Sequence, residues 1–211
     1  MTDLAGRKEV EILADKDPGV GLPGRVYLPG YSRTMGPQTH LFPERERLQS
    51  LTWKNFDVKQ LSPTIGAELV GLDLSQELSD EVIRETQEAL WNFKVIFFRN
   101  QEITSDQQIR FAQRFGELEI HPFLPPNTET PELVRFEKNA NAAGYENQWH
   151  HDVTWRETPS QGAILRAIEI PPIGGDTLFV DANAAYEGLT EEIKDEIDSL
   201  YAVHDFLRAF G

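Results

Sequence analysis

The spacing of apolar and polar residues changes several times along the chain. Residues 1–50 show no sustained period, and they hold 5 of the 13 prolines and 6 of the 15 glycines. Text such as PGVGLPGRVYLPGYSRTMGP predicts an extended arm, ordered only where it packs on the body or on a neighbouring subunit. From Phe56 the pattern tightens, and residues 56–61 and 65–72 read as short strands. Ser79 stands where a helix N-cap belongs, with Asp80 and Glu81 in the first turn. Val82, Ile83, Thr86, Leu90 and Phe93 then recur at helical spacing. The apolar run at 95–98 predicts a fully buried strand. Thr104 or Ser105 opens a second helix with Ile109, Ala112 and Phe115 on one face, ended by Gly116.

Beyond this point the pattern becomes strand-like. Short strands are predicted at 133–136, 149–155, 161–170 and 177–180, the third stopped by Pro171-Pro172 and the fourth preceded by a Gly174-Gly175 turn. Thr190 caps an acidic helix running to about Leu200. Helices followed by strands spaced by turns suggest a mainly β fold, a sandwich or barrel with helices packed outside.

Composition narrows the functional classes. Hydrophobic residues make up 39% of the 211, enough for a core, and no apolar run is long enough to span a bilayer. The net charge is −15, and residues 51–211 carry all of it. Such a surface repels phosphate backbones and anionic lipid, so neither nucleic acid nor membrane is expected as a partner. The charged opening residues predict no secretory signal and therefore a cytoplasmic protein. With no cysteine, thiol nucleophiles, thiolate zinc sites and iron–sulfur clusters are excluded, and any metal must sit on histidine and carboxylate.

Of the five histidines, His150 and His151 lie in Trp149-His150-His151-Asp152. On a strand, residues i and i+2 share a face, so His150 and Asp152 point one way and His151 the other. One imidazole and one carboxylate are two thirds of the facial triad that holds Fe(II) with positions open for a bidentate cosubstrate and O₂. The His-x-Asp spacing alone is a weak signal, because chance gives about 0.3 matches in a chain of this composition. A histidine beside a solvated aspartate remains the plain alternative at this point.

Longer stretches add specificity. IGAELVGLDL, VIFFRNQEIT, FAQRFGELEIHP, WHHDVTW, GGDTLFVD, AAYEGL and HDF follow one another in an order that resembles the taurine dioxygenase (TauD/TfdA) family of Fe(II)- and 2-oxoglutarate-dependent dioxygenases. The resemblance covers about residues 56–211 and leaves the arm at 1–50 outside it. It implies a double-stranded β-helix (a clavaminate-synthase-like jelly roll) with flanking helices. It also implies that His150 and Asp152 are iron ligands and that Thr177 binds the far carboxylate of 2-oxoglutarate. His121, Leu124, Trp149 and Phe210 are implied as substrate-pocket residues. The implied reaction hydroxylates a small organic substrate with O₂, releasing succinate and CO₂ from 2-oxoglutarate. Where the hydroxylated carbon bears a sulfonate, the product collapses to an aldehyde and sulfite.

Departures from the family pattern bear on the substrate. Leu124 stands where taurine enzymes have a tyrosine, and Ala209 where they have a serine. A pocket that loses polar contacts binds taurine poorly and favours a larger or more apolar sulfonate or sulfate ester. The family's second iron-binding histidine and its 2-oxoglutarate-binding arginine lie much further along than the 59 residues that follow Asp152. The expectation is therefore residues 51–211 as the N-terminal part of a dioxygenase domain, with an incomplete jelly roll. His204, the only histidine downstream of the cluster, matches a different family position. Two rival readings follow: an inactive fragment lacking the distal histidine and arginine, and a zinc hydrolase built on the same His/Asp pair. The arm is also a candidate contact in a homo-oligomer.

Overall fold

The computed structural model describes residues 39–120, 129–137 and 149–204, all within one compact unit spanning 39–211. Three predicted pocket residues, His121, Leu124 and Phe210, lie outside the described residues.

Order begins earlier than the proline and glycine content suggests. A 3₁₀ turn at Thr39–Leu41 leads into helix α1 (Phe42–Gln49), with Pro43 in the first turn, where its missing N–H is harmless. Leu48 is the one buried residue of α1, and it enters the core. A single apolar anchor in a charged octapeptide leaves no period to read, and this stretch is ordered where it packs on the body, as a helix rather than an extended segment.

Strand β1 (Asp57–Gln60) pairs antiparallel with β2 (Ala67–Val70), which pairs in parallel with β3 (Ile96–Phe97). Gly66 closes the β1–β2 loop at φ +87°, where a side chain would be strained. The parallel β2–β3 pair requires a crossover, and helix α2 (Asp80–Phe93) supplies it. Ser79 accepts from the Val82 N–H, as the sequence predicts, and Ile83, Thr86, Ala89 and Phe93 form the buried stripe. Helix α3 (Ser105–Gln113) opens on a full capping box between Thr104 and Gln107. The predicted buried strand at 95–98 proves half-buried, because β3 is an edge strand with one neighbour.

Two apolar clusters hold these elements. Leu48, Phe56, Ala67, Leu69, Ala89 and Phe93 form the first, between α1, the sheet and α2. Leu74, Ile83 and Phe111 form the second, between α2 and α3. Leu72 and Phe98 pack against both and join them. Polar contacts tie the loops to this body. The Glu85 carboxylate accepts from the N–H groups of Lys54 and Asn55 and from the Asn55 side chain.

Helices α4 (Ala182–Glu187) and α5 (Glu191–Ile197) complete the described elements. The helix predicted after Thr190 is α5, three residues shorter than expected, whereas α4 carries no readable apolar period. The strands predicted at 133–136, 149–155, 161–170 and 177–180 form no ladder among the described residues. A strand exists through its partner, because every backbone N–H and C=O needs one. Among the described residues these segments have no neighbouring strand, and the later two keep their apolar side chains largely out: Leu165 is 71% exposed, Ile168 74% and Leu178 72%. The described sheet is thus a partial one with flanking helices. No helix among the described residues is long and apolar enough to cross a membrane.

Candidate active site

Asp152 opens a turn at 152–155 and His150 lies on the irregular chain just before it, not on a strand, yet the two side chains come together. His150 Nε2 lies 3.2 Å from Asp152 Oδ1, and both side chains are about two-thirds exposed. His151 turns away and places Nδ1 3.0 Å from the Asp152 carbonyl oxygen.

The turn has an anchor. Val153 is buried and takes φ +59°, a left-handed conformation that a β-branched residue adopts only at an energetic cost. Its burial holds the neighbouring Asp152 at the surface. Arg156 follows with an N–H bond to the Val153 carbonyl and an ion pair to Glu119. Ser160 donates to the same Glu119 at 3.1 Å. On the other side, His204 Nδ1 lies 2.7 Å from Thr154 Oγ1. No sequence signal announces this contact, which links residues fifty positions apart.

Trp149 is 67% exposed beside the pair. Thr177 is exposed on the extended segment after the Gly174-Gly175 bend, where both glycines adopt left-handed φ of +79° and +74°. The structure thus joins His150 to Asp152 directly, leaves Thr177 on a separate segment, and adds Val153 and His204 as supports. Among the described residues, no group of three His, Asp or Glu side chains could hold a metal ion. A shallow hollow of about 570 Å³ beyond α3 is lined by residues such as Gln113, Leu118 and Glu132, and by none of the predicted site residues.

The segment bearing Thr177 is fixed at two points, to the sheet through Phe97 and to the end of α2 through Lys94. Phe179 packs edge-on against Phe97 of β3 with centroids 6.0 Å apart. Asp181, 8% exposed, receives Lys94 Nζ at 3.2 Å and caps α4 by accepting from the Ala184 N–H. Burial pushes the Asp181 carboxyl up. Hydrogen bonds from Ala184, Thr64 and Lys94, with the lysine charge, outweigh burial and hold it below the usual aspartate value.

Residues 57–211 match the model of the family described as taurine catabolism dioxygenase TauD, TfdA family. The chain belongs to the TauD/TfdA family. Among its TauD/TfdA relatives, an alkylsulfatase of Acinetobacter baylyi is 36% identical over 72% of this chain and 47% of the relative. An alpha-ketoglutarate-dependent sulfate ester dioxygenase of Pseudomonas putida is 39% identical over 70% of this chain and 49% of the relative. The chain therefore spans about half the length of these curated relatives. The crystal structure of a taurine dioxygenase from Burkholderia xenovorans superposes with a TM-score of 0.63 at 36% identity, covering 72% of this chain and 55% of that one. The fold is thus that of a TauD-like dioxygenase over the matched part.

Proposed function

We propose that this chain belongs to an Fe(II)- and 2-oxoglutarate-dependent dioxygenase that hydroxylates a small organic sulfate ester or sulfonate. The observation that carries the reading is the convergence of His150 Nε2 and Asp152 Oδ1 to 3.2 Å within a TauD/TfdA chain. An imidazole nitrogen and a carboxylate oxygen suit Fe(II), and two such donors fill two positions of a facial triad. Residues 51–211 are then the N-terminal part of the dioxygenase domain, and the apolar segments at 161–170 and 177–180 are jelly-roll strands awaiting their partners. The small substrate and O₂ are the partners this reading implies.

When bound, the iron supplies the redox chemistry that couples decarboxylation of 2-oxoglutarate to hydroxylation of a C–H bond. The protein's own part is to bind and to orient. His150 and Asp152 hold the metal, with Val153 fixing the turn that presents them. The Thr177 hydroxyl donates to the far carboxylate of 2-oxoglutarate. The family resemblance assigns His121 to the anionic head of the substrate and Trp149, Leu124 and Phe210 to its apolar chain. The names of the two sulfate-ester relatives favour that substrate class, and Leu124 and Ala209 favour it over taurine.

The test is succinate release from 2-oxoglutarate by the purified chain with Fe(II) and a panel of alkyl sulfates and alkyl sulfonates. Release that needs iron, 2-oxoglutarate and a sulfur-bearing substrate, and that His150→Ala abolishes, is the expected result. A second reading draws on the lack of a three-donor cluster among the described residues: the 211 residues alone bind iron weakly and do not turn over. Iron-independent activity restored by zinc without 2-oxoglutarate would refute both.

A further inference from the structure

We propose that Lys94 and Asp181 form a positioning pair that holds the cosubstrate segment, residues 177–180, against the edge of the first sheet. The assignment of Thr177 to 2-oxoglutarate rests on the proposed function. The pairing itself rests on geometry alone.

Lys94 is the C-cap of α2 and has φ +66°. This left-handed conformation suits glycine, and a lysine there is strained. Its side chain gives a reason for the lysine. Nζ donates to the Thr64 carbonyl at 2.8 Å, pairs with Asp181 Oδ2 at 3.2 Å and lies 3.6 Å from Glu44 Oε1. One ammonium thus draws together α1, the β1–β2 loop, the end of α2 and the start of α4.

Asp181 is the most buried acidic side chain of any ion pair among the described residues, at 6% exposure. As an N-cap alone it could equally be serine or asparagine. The charge is what the lysine requires, because a buried carboxylate without a partner is strongly destabilising. Four residues upstream lies Thr177, and two upstream lies Phe179 on Phe97. With Phe179 and Asp181 both fixed, the segment that carries Thr177 has a defined path over the sheet edge despite lacking a strand partner.

Hydrogen exchange on the intact chain tests the pairing. Asp181→Ser keeps the cap and removes the charge, Lys94→Met removes the partner, and Lys94→Arg preserves it. In the first two variants the amides of residues 184–188, whose hydrogen bonds run back to Asp181 and into α4, should exchange about tenfold faster, the loss expected for one charge-assisted hydrogen bond. The amides of β2 and α3 should not change, and Lys94→Arg should restore protection. Unchanged exchange at 184–188, or equal loosening of the whole chain, overturns the proposal. Calorimetric titration with 2-oxoglutarate and Fe(II) under anaerobic conditions tests the link to the cosubstrate. Weaker binding in Asp181→Ser and Lys94→Met, recovered in Lys94→Arg, is expected. Faster exchange with no 2-oxoglutarate binding even in the parent chain would refute the proposed function and leave the pair standing as a clamp of the segment.

Discussion

Phe93 is where the first apolar cluster is most exposed to failure. It is 1% accessible, its ring lies 6.0 Å from that of Trp53, and its carbonyl accepts from Gly66 and Val95, closing the sheet against α2. Truncation to alanine removes the whole ring from a site walled by Leu48, Phe56, Ala67, Leu69 and Ala89. The Phe93 carbonyl is held by those two hydrogen bonds, so collapse into the space is restricted. The upper part of the usual range applies, about 3–5 kcal/mol for a buried phenylalanine cut to alanine. Phe93→Leu keeps most of the volume and should cost about 1–1.5 kcal/mol. Against a total of about 5–15 kcal/mol for a domain, the alanine variant loses much of its margin. Urea unfolding followed by tryptophan fluorescence measures both, because Trp53 stacks on Phe56 at 5.6 Å and reports on this cluster. With slopes of about 1–3 kcal/mol per molar, the midpoint of Phe93→Ala should fall by about 2 M. A loss below about 1 kcal/mol, or equal losses for the two variants, would refute the picture of α2 as the pillar of the fold.

Acid should loosen α4 first. The Asp181 carboxyl is held below its usual value, so its stabilisation is complete above the ordinary aspartate pKa of about 3.9 and is lost as pH falls through the lowered folded value. Glu44, lowered chiefly by its hydrogen bond from Arg47, acts in the same direction. Melting temperature against pH should therefore drop in the acid range, and Asp181→Ser should flatten that drop. Thr104→Ala should destabilise α3 by about 1 kcal/mol, through loss of the hydroxyl that accepts from the Gln107 N–H, while the bond from the backbone N–H of residue 104 to the Gln107 side chain remains. Circular dichroism melts check this, and an unchanged melt would mean that α3 is held by packing alone.

Local signals made the first half of the fold legible. Ser79 and Thr104 cap helices whose buried residues recur at helical spacing, and β1 and β2 are bounded by turn residues. Where structure depends on distant partners, the same reading fails. Residues 161–170 and 177–180 have strand-like composition, but pairing decides whether they become strands, and composition cannot supply a partner. Helix α1 escaped notice because Leu48 is its one buried side chain, and α4 because alanines give no period. At the site, His-x-Asp identified the two side chains that do converge, but it gave them a strand where the chain makes a turn around Val153. The His204–Thr154 contact and the Lys94–Asp181 pair join positions with no sequence pattern between them, and only coordinates reveal them.

The two apolar clusters also set an order in time. Every residue in them lies between Leu48 and Phe115. During synthesis, this body has all its parts before His150 and Asp152 exist. His150 lies 35 positions after Phe115, a delay of about 2–7 s at about 5–20 residues per second. The parallel β2–β3 pair joins Ala67 to Ile96 through α2, a non-local pairing whose two partners are both synthesised well before His150. The segments bearing His150, Asp152 and Thr177 thus emerge onto a platform already built, and Phe97 and Lys94 wait there to receive them.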